Sequence, residues 1–326
     1  MVDRPFVVDA VLTAISVGYR NDRAAYIADQ VMPRSQVTAE KFKWTYYPIE
    51  EAFNVPDARV GRTGQVRQLE FGGEERSSMV EDFGYDIPIP YSDIEAAQNA
   101  RDRGVSSFDP EGHAVMMIGD TLLNQREVRV ANIVHNPNNY AVGRKRLLSG
   151  TSQFNDYVNS DPLGVILGGM DGTLVKRPNT VAMGRDVWSR GLRSHPKLVN
   201  AVKGNLANQG VITIDQFLEL LRGEGIANVL IGDTWYNTAR AGQPVALNRA
   251  WGRHIALLHI DPMATPEMGG ITWGLTAEYG SKIAGRIEDK DLGLQGGFRI
   301  RNGERVKELV VAQDVGYLIQ DAVAAA

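Results

Sequence analysis

Cysteine is absent from this chain of 326 residues, which excludes disulfides, thiolate metal sites and cysteine nucleophiles. The sequence also lacks any run of about eighteen apolar residues that could span a bilayer, and its N-terminus lacks the basic-then-apolar order of a signal peptide. These two absences predict cytoplasmic synthesis and no membrane partner. With 35 basic and 39 acidic residues, the net charge of −4 shows no basic excess. Proteins that mainly bind nucleic acid normally have an excess of basic residues, so a nucleic-acid-binding protein is disfavoured.

Motifs for catalysis or metal binding are also scarce. Among the five histidines, His254 and His259 lie closest, but their odd separation puts them on opposite faces of a strand. The segment 168–172 lacks the GxGxxG spacing and predicts a turn before a strand, while 274–282 misses the P-loop pattern and predicts a strand and a turn. Neither GxSxG nor HExxH occurs. We therefore predict no catalytic, cofactor-binding or metal-binding residues and no cofactor.

Two basic clusters could contact phosphate or simply face water. They are Arg144-Lys145-Arg146 and Lys176-Arg177. Aromatic residues that would stack on bases are not interleaved with either cluster, so solvated surface is the favoured interpretation.

The segment from Phe42 to Tyr91 carries two strand-like patterns. Apolar side chains alternate with polar ones at Phe42, Trp44 and Tyr46, and again from Phe83 to Tyr91. This period of two predicts two strands, each with one face to bury. Pro88 and Pro90 remove backbone donors from the second strand, which predicts an edge position or an isolated ribbon.

The residues between these strands are polar and rich in glycine, with no periodicity that would build a core. Four arginines, Arg59, Arg62, Arg67 and Arg76, are interspersed with acidic residues. Such long stretches in compact domains usually bind something or are disordered, and mixed charge suits a protein partner. We predict a protruding two-stranded arm whose apolar face is laid on a neighbour, with a plain disordered loop as the alternative.

Helix signals follow the arm. Ser92 and Glu95 have the spacing of a capping box, and Gly104 can close the short helix that they open. Asp109 as N-cap and Pro110 at the first helical position then begin an apolar 3.6 period that ends at Asn136-Pro137. This pattern predicts a helix of about 25 residues, which is the longest helix predicted for the chain.

Beyond residue 161 short strands alternate with short helices. Asn179 to Met183 predicts a strand followed by a helix, and Thr213 with Gln216 predicts a capped helix that Gly223 ends. Strands are also predicted at 229–231 and 255–260, and again at 271–279 and 305–319 after a Gly-rich connection. The pattern indicates an α/β lobe within an α+β protein whose last strands complete sheets begun earlier.

This order of parts resembles the major capsid protein of tailed double-stranded DNA bacteriophages, with the Hong Kong 97 type of fold. Three sequence segments strengthen the resemblance: LLNQREVRVANIVHNPNNY, LLSGTSQFNDYVNSDPLGVI and PNTVAMGRDVWSRGLRSHPKLV. The resemblance implies four parts. They are an N-terminal arm (1–43), an extended loop (44–91), a peripheral domain (92–160 and 271–312) with the spine helix Asp109 to His135, and an axial domain (161–270 and 313–326).

The resemblance also implies function and partners. Such a chain self-assembles as hexamers and pentamers into an icosahedral head, encloses double-stranded DNA without sequence specificity, and is not an enzyme. Its further partners would be scaffolding, portal and decoration proteins, and its location the virion capsid. The chain shows no helical charged prefix, which implies either a separate scaffolding protein or a prefix already cleaved. No lysine lies between Lys43 and Lys145, so Lys–Asn cross-links from the loop are not expected.

Two alternatives stay open at this point. Encapsulins, bacterial shells that carry an enzyme cargo, resemble the same architecture and differ little in sequence pattern. The other alternative is a cytosolic enzyme that uses the 161–261 lobe, with the glycines at 168–172 as a ligand loop.

Overall fold

The computed structural model describes residues 21–46, 53, 55, 57–60, 62–66, 68, 72, 74–204, 210–240, 242–265 and 270–325. Helices and strands both occur among them, which confirms the predicted α+β class. About half of the predicted N-terminal arm, residues 1–20, lies outside the described residues, and so does Arg67 of the predicted loop.

Among the described helices, the one at Pro110–His135 is much longer than the others. The helices are α1 (Ala28–Val31), α2 (Tyr91–Asp102), α3 (Pro110–His135), α4 (Pro162–Asp171), α5 (Arg185–Val187, continued by a π-helix at Trp188–Leu192), α6 (Pro196–Lys203) and α7 (Ile214–Arg222). Short 3₁₀ turns occupy Arg23–Ala25, Pro137–Asn139, Gly150–Ser152 and Gln313–Val315.

Within the described residues the strands form two five-stranded sheets and two two-stranded sheets. They are β1 (Arg34–Val37), β2 (Lys41–Tyr46), β3 (Glu74–Met79), β4 (Glu81–Pro90), β5 (Lys145–Leu147), β6 (Thr180–Gly184), β7 (Asn228–Gly232), β8 (Trp235–Asn237), β9 (Leu247–Arg249), β10 (Ile255–Leu258), β11 (Gly274–Tyr279), β12 (Ile283–Asp289), β13 (Gly297–Val310) and β14 (Gly316–Gln320).

The first large sheet, here the β13 sheet, has the order β1-β11-β13-β12, and β4 is a further partner of β13. β4 runs antiparallel to β13, from Glu81 opposite Val306 to Pro90 opposite Gly297. Within the described part of the chain β4 pairs with no other strand. The predicted edge position of the proline-containing strand is thus confirmed.

The second large sheet, here the β10 sheet, has the order β5-β14-β10-β6-β7. Its central strand β10 is buried at every residue, and its two faces contribute to two hydrophobic clusters. Ile255 and Leu257 pack on one face among α4, α6 and α7, whereas Ala256 and Leu258 pack on the other face. This alternation is the period-two pattern of a strand covered on both sides.

Helix α3 connects the two sheets. It begins where predicted, because the Asp109 carboxylate accepts a hydrogen bond of 3.2 Å from the Glu111 N–H and Pro110 takes the first helical position. Ala114 near its start packs with Ile300 of the β13 sheet, and Val130 near its end packs in a cluster that includes Ala256 of the β10 sheet. At 26 residues the helix spans about 39 Å.

Several local predictions beyond the spine helix are confirmed. Thr213 and Gln216 form the predicted capping box at the start of α7, and Gly223 caps its end. Gly104 ends α2 with a left-handed φ of 66°. There the amide N–H of Val105 donates to the carbonyl of Ala100, as in a Schellman motif.

Three other local predictions are wrong. Ser92 lies inside α2 and its hydroxyl contacts Asp93, so the predicted capping box with Glu95 does not form. The glycines at 168–172 belong to the end of α4 rather than to a turn before a strand, because Pro162 at the first helical position begins a helix there. The Gly-rich connection after residue 280 contains strand β12, whose residues are almost all exposed.

The two strand-like patterns of the predicted arm do not pair with each other. β2 pairs with β3, a polar strand within the glycine-rich residues between the two predicted strands. The Phe83 to Tyr91 pattern belongs to β4, which pairs with β13. β3 was missed because its sequence, EERSSM, has no apolar alternation. The two-stranded arm exists, but its second strand begins at Glu74.

Candidate assembly surface

β2 and β3 form a two-stranded ribbon that belongs to neither large sheet. They run antiparallel from Lys41 opposite Met79 to Tyr46 opposite Glu74. β3 is exposed along most of its length, and the connecting loop carries exposed apolar side chains. Those described are Phe53, Val55, Val60 and Val66, which are 60%, 92%, 46% and 77% exposed. Because an isolated two-stranded hairpin is marginally stable in water, the ribbon is suited to contact with another surface.

The base of the ribbon is fixed to its own subunit. Phe42 is buried and packs in a cluster that includes Val37, Val80 and Leu275. The N–H of Val80 donates a hydrogen bond of 3.0 Å to the carbonyl of Glu40, which closes the base. The prediction that the Phe42 face is laid on a neighbour is therefore wrong for Phe42 itself, since its side chain completes an internal cluster.

Phe83 also faces its own subunit. Its ring centroid lies 3.7 Å from the guanidinium carbon of Arg129 on α3. Arg129 in turn donates to Glu308 of β13 at 2.9 Å. This stacked cation–π arrangement corrects the prediction that Phe83 is presented to a neighbouring subunit.

The opposite face of the β13 sheet carries a row of ion pairs between β13 and the segments beside it. Arg301 binds Asp86 through two bonds of 2.8 Å, and Arg305 binds Glu40 at 2.9 Å. Lys307 pairs with Glu81. These pairs are largely exposed, so each contributes little to stability, but together they alternate positive charge on β13 with negative charge on the segments beside it.

A hollow of about 660 Å³ interrupts this row. Gly84 and Gly303 face each other in register at its floor, with Ile283 of β12 at one end. A Cβ atom at Gly303 would lie 2.7 Å from the carbonyl oxygen of Phe83, so the close approach of β4 and β13 requires glycine there.

A charge network around the buried Arg126 attaches residues 22–37 to α3 and the β13 sheet. Arg126 of α3 binds Asp29 at 2.7 Å, and Arg34 binds Asp29 at 2.9 Å and Glu304 at 2.8 Å. Burial alone would raise the pKa of Asp29, but Arg126 and Arg34 outweigh it and the pKa is lowered. Burial lowers the pKa of Arg126, and the nearby charge of Arg34 lowers it further. The network holds β1 beside β11 at the edge of the β13 sheet.

Glu127 makes the second attachment. One carboxylate oxygen accepts from the Ile27 N–H at 2.8 Å and from the Trp251 indole at 2.6 Å; the other accepts from the Ala28 N–H at 3.0 Å. Burial raises the pKa of Glu127, and these hydrogen bonds partly oppose that rise. Glu127 was not predicted from the sequence. Its position three residues before Val130, on the buried stripe of the helix, was the available signal.

The histidines do not assemble a metal site. His254 and His259 lie just outside the two ends of β10, and His254 instead approaches His135, with 4.8 Å between ring centroids. His259 bonds the carbonyl of Arg177 at 3.0 Å. Within the described residues no group of three His, Asp or Glu side chains could hold a metal ion.

Ser160 and His195 form a buried pair that resembles part of a hydrolase site. The Ser160 oxygen lies 3.0 Å from Nε2 of His195. Nδ1 of the same ring accepts the Lys197 N–H at 3.3 Å, which places the ring proton on Nε2. Nε2 then donates to Ser160, whose hydroxyl donates to the Asp156 carbonyl at 2.6 Å. The histidine therefore cannot take the serine proton in this arrangement, and the pair is structural.

The two basic clusters differ in their surroundings. Lys145 and Arg146 are exposed on β5, and Lys145 donates to the Pro137 carbonyl at 3.1 Å. Arg177 binds Asp171 and Glu224, so its charge is already paired. No helix among the described residues is both long and apolar enough to cross a lipid bilayer.

The chain is 40% identical to the major capsid protein of Pseudomonas phage JBD67, and the match spans 325 residues and the full length of both chains. The chain therefore belongs to the phage major capsid proteins. A second relative, the major capsid protein of Burkholderia phage BcepMu, is 29% identical over 96% of both chains. No family model matches the sequence. The capsid protein is thus a structural protein of the virion capsid, and its phage relatives favour this function over the encapsulin and enzyme alternatives.

Solved structures with little sequence identity share the fold of the capsid protein. A phage-related protein from Bordetella bronchiseptica superposes with a TM-score of 0.68 at 20% identity and covers 98% of this chain and 99% of its own. The capsid structure of cyanophage P-SCSP1u gives 0.55 at 9% identity, covering 97% of this chain and 90% of its own. These neighbours confirm the predicted Hong Kong 97 type of capsid fold.

Proposed function

We propose that the capsid protein assembles as hexamers and pentamers into an icosahedral head that encloses double-stranded DNA, and that the β2–β3 ribbon is the main contact between neighbouring subunits. The observation that carries this proposal is the ribbon with its connecting loop: Phe42 fixes the base of the ribbon, and the loop carries exposed apolar side chains. Apolar side chains that their own subunit leaves exposed are available to a neighbouring subunit, and many repeated weak contacts add up to a stable shell.

The division into parts supports the same assembly. We propose an N-terminal arm at 1–43, an extended loop at 44–91, a peripheral domain at 92–160 and 271–312, and an axial domain at 161–270 and 313–326. Strand β5 lies within 92–160 and pairs with β14, so it links the two proposed domains.

The proposed partners follow from the enclosed genome and from the charge of the chain. Scaffolding, portal and decoration proteins are proposed to meet the shell. DNA contacts are non-specific, and the net charge of −4 favours containment over tight binding. Synthesis occurs in the host cytoplasm, and no enzymatic activity is proposed.

The experiment is deletion of residues 57–76, followed by electron microscopy and analytical ultracentrifugation. The deletion removes the second part of the loop, with Val60 and Val66, and half of β3. It leaves Phe53, Val55 and all the residues that fix the base. We expect a soluble folded subunit that sediments as free subunits or capsomers. Closed shells in normal yield would overturn the proposed role of the ribbon.

A pair of point variants provides the matched control. Val55 in the loop and Val142 after α3 are 92% and 97% exposed, so aspartate costs little folding energy at either position. We expect Val55→Asp to lower the shell yield and Val142→Asp to leave it unchanged. Equal yields from the two variants would show that the apolar side chain of the loop makes no contact.

A further inference from the structure

β12 has an open edge. It pairs with β13 on one side, and no described strand lies on its other side. Six of its seven residues are exposed, including the apolar side chains Ile283 and Ile287 at 47% and 44%. The N–H and C=O groups along such an edge are a template for another strand.

The other edges of this sheet are less suited to accept a strand. β4 contains Pro88 and Pro90, which supply no N–H donor, and β1 has only four residues. β12 has seven residues and contains no proline. A strand of six or seven residues could therefore pair along its whole length.

The ribbon offers a strand of matching length. β3 has six residues without proline and, among the described residues, pairs only with β2. A third strand would stabilise the ribbon, because two-stranded hairpins are marginal alone. Each strand carries charges of both signs, Glu74, Glu75 and Arg76 on β3 and Arg286, Glu288 and Asp289 on β12, so a register that sets Arg286 beside Glu74 or Glu75 pairs opposite charges.

We propose that β3 of one copy adds edge to edge to β12 of a second copy, so that one continuous sheet crosses the subunit boundary. The proposal rests on the proposed function, since it specifies how the ribbon binds its neighbour. Donor and acceptor strands are different surfaces of the same chain. Such a head-to-tail contact generates a ring when its rotation closes, which is the arrangement that a capsomer requires.

Engineered cysteines test the contact directly, because the chain has none of its own. Subunits carrying only Ser77→Cys in β3 are mixed with subunits carrying only a cysteine in β12, assembled and oxidised. A covalent dimer on a non-reducing gel reports strands within disulfide distance. Leu294→Cys, which is 98% exposed in the turn after β12, is the matched control and should give no dimer.

The pattern of dimers distinguishes strand addition from other docking modes. Successive side chains of a strand point to opposite faces, so Ser77→Cys should cross-link to one parity of β12 only. Positions 283, 285 and 287 form one class, and 284 and 286 form the other. We expect Ser78→Cys to react with the class that Ser77→Cys does not. Dimers without this alternation, or none in assembled shells, would overturn the proposal.

Hydrogen exchange tests the same contact in the unmodified protein, so the result does not depend on any substitution. Backbone amides of β12 and β3 should exchange at least about tenfold more slowly in shells than in free capsomers, because edge pairing protects them. Unchanged exchange in β12 would overturn strand addition while leaving the proposed function intact. By contrast, normal assembly after deletion of 57–76 would overturn the proposed function of the ribbon itself.

Discussion

The indole Nε1 of Trp251 donates a 2.6 Å hydrogen bond to the carboxylate of Glu127. Trp251 is fully buried beside the β10 sheet, and Glu127 lies on the buried side of the spine helix α3. The same carboxylate accepts the backbone N–H groups of Ile27 and Ala28 at the start of α1. One side chain therefore joins the start of α1, the spine helix and the residues before β10.

Glu127→Gln should destabilise the subunit by about 1–3 kcal/mol, because it replaces one accepting oxygen with an NH₂ donor. The new NH₂ group would point either at the N–H of Ala28 or at the N–H groups of Ile27 and Trp251. In both orientations a buried N–H group would lose its acceptor. Urea unfolding of the unassembled subunit measures the change in the free energy of unfolding. Limited proteolysis should also cut faster near Arg23 and Arg34.

Glu111→Gln is the matched control. Glu111 lies in the first turn of the same helix, and Arg286 approaches it only to 3.7 Å. Its replacement should change the free energy of unfolding by no more than about 0.5 kcal/mol. An equally small effect of Glu127→Gln would mean that the three hydrogen bonds contribute little to stability.

The elements that the sequence predicted well are those with local signals. Asp109 and Pro110 mark the start of α3, and Thr213 marks the start of α7, because caps and a fixed proline φ act over a single turn. β6 at Thr180–Gly184 was equally clear, since a short apolar run after Pro178 has few other solutions.

The candidate surface was only partly predictable, because its strand pairing depends on distant residues. The partner of β4 is β13, more than 200 positions away, and nothing near Phe83 specifies that pairing. β3 and β12 are exposed strands and lack the apolar alternation that identifies a half-buried one. The ribbon was therefore predicted in the right place but with the wrong second strand.

Phe83→Asp should lower the stability of the subunit itself. The substitution removes the ring that lies over Arg129 and places a carboxylate close to a guanidinium already bound by Glu308. Loss of the cation–π contact and of apolar burial should cost about 1–3 kcal/mol, measured by urea unfolding of free subunits. Phe83→Leu keeps most of the apolar area and should cost less. Full stability of Phe83→Asp together with lost assembly would instead indicate that Phe83 contacts a neighbour.

Gly232→Ala and Gly285→Ala should have opposite outcomes although both glycines lie in strands. A Cβ at Gly232 would lie 2.0 Å from the ring of Trp251, so the buried indole would have to move. We expect a loss of about 1–3 kcal/mol. At Gly285 a Cβ meets nothing within 4 Å, and alanine should be neutral or slightly stabilising. Thermal unfolding of both variants provides the comparison, and equal melting temperatures would contradict it.

Stability should fall as the pH drops below about 6.5, and His135 should be one cause. Burial, together with the neighbouring His254, lowers the pKa of His135 to about 3. Burial and Lys197 lower the pKa of His195 to about 4. Between these values and the ordinary histidine pKa the unfolded chain binds more protons than the folded chain, so the free energy of unfolding rises with pH. Each histidine then contributes a loss of about 1–2 kcal/mol between pH 6.5 and 5.

His135→Phe separates this effect from the titration of carboxylates. The aromatic ring can keep the edge contact with Trp251, but it takes up no proton. The variant should therefore lose less stability than the unmodified subunit between pH 7 and 5, measured by urea unfolding at several pH values in one buffer series. Protonation of carboxylates such as Asp29, whose pKa is lowered, reduces the free energy of unfolding only at lower pH. This reduction is the same for both proteins. Parallel curves for the two proteins over this interval would show that His135 is not buried in its neutral form.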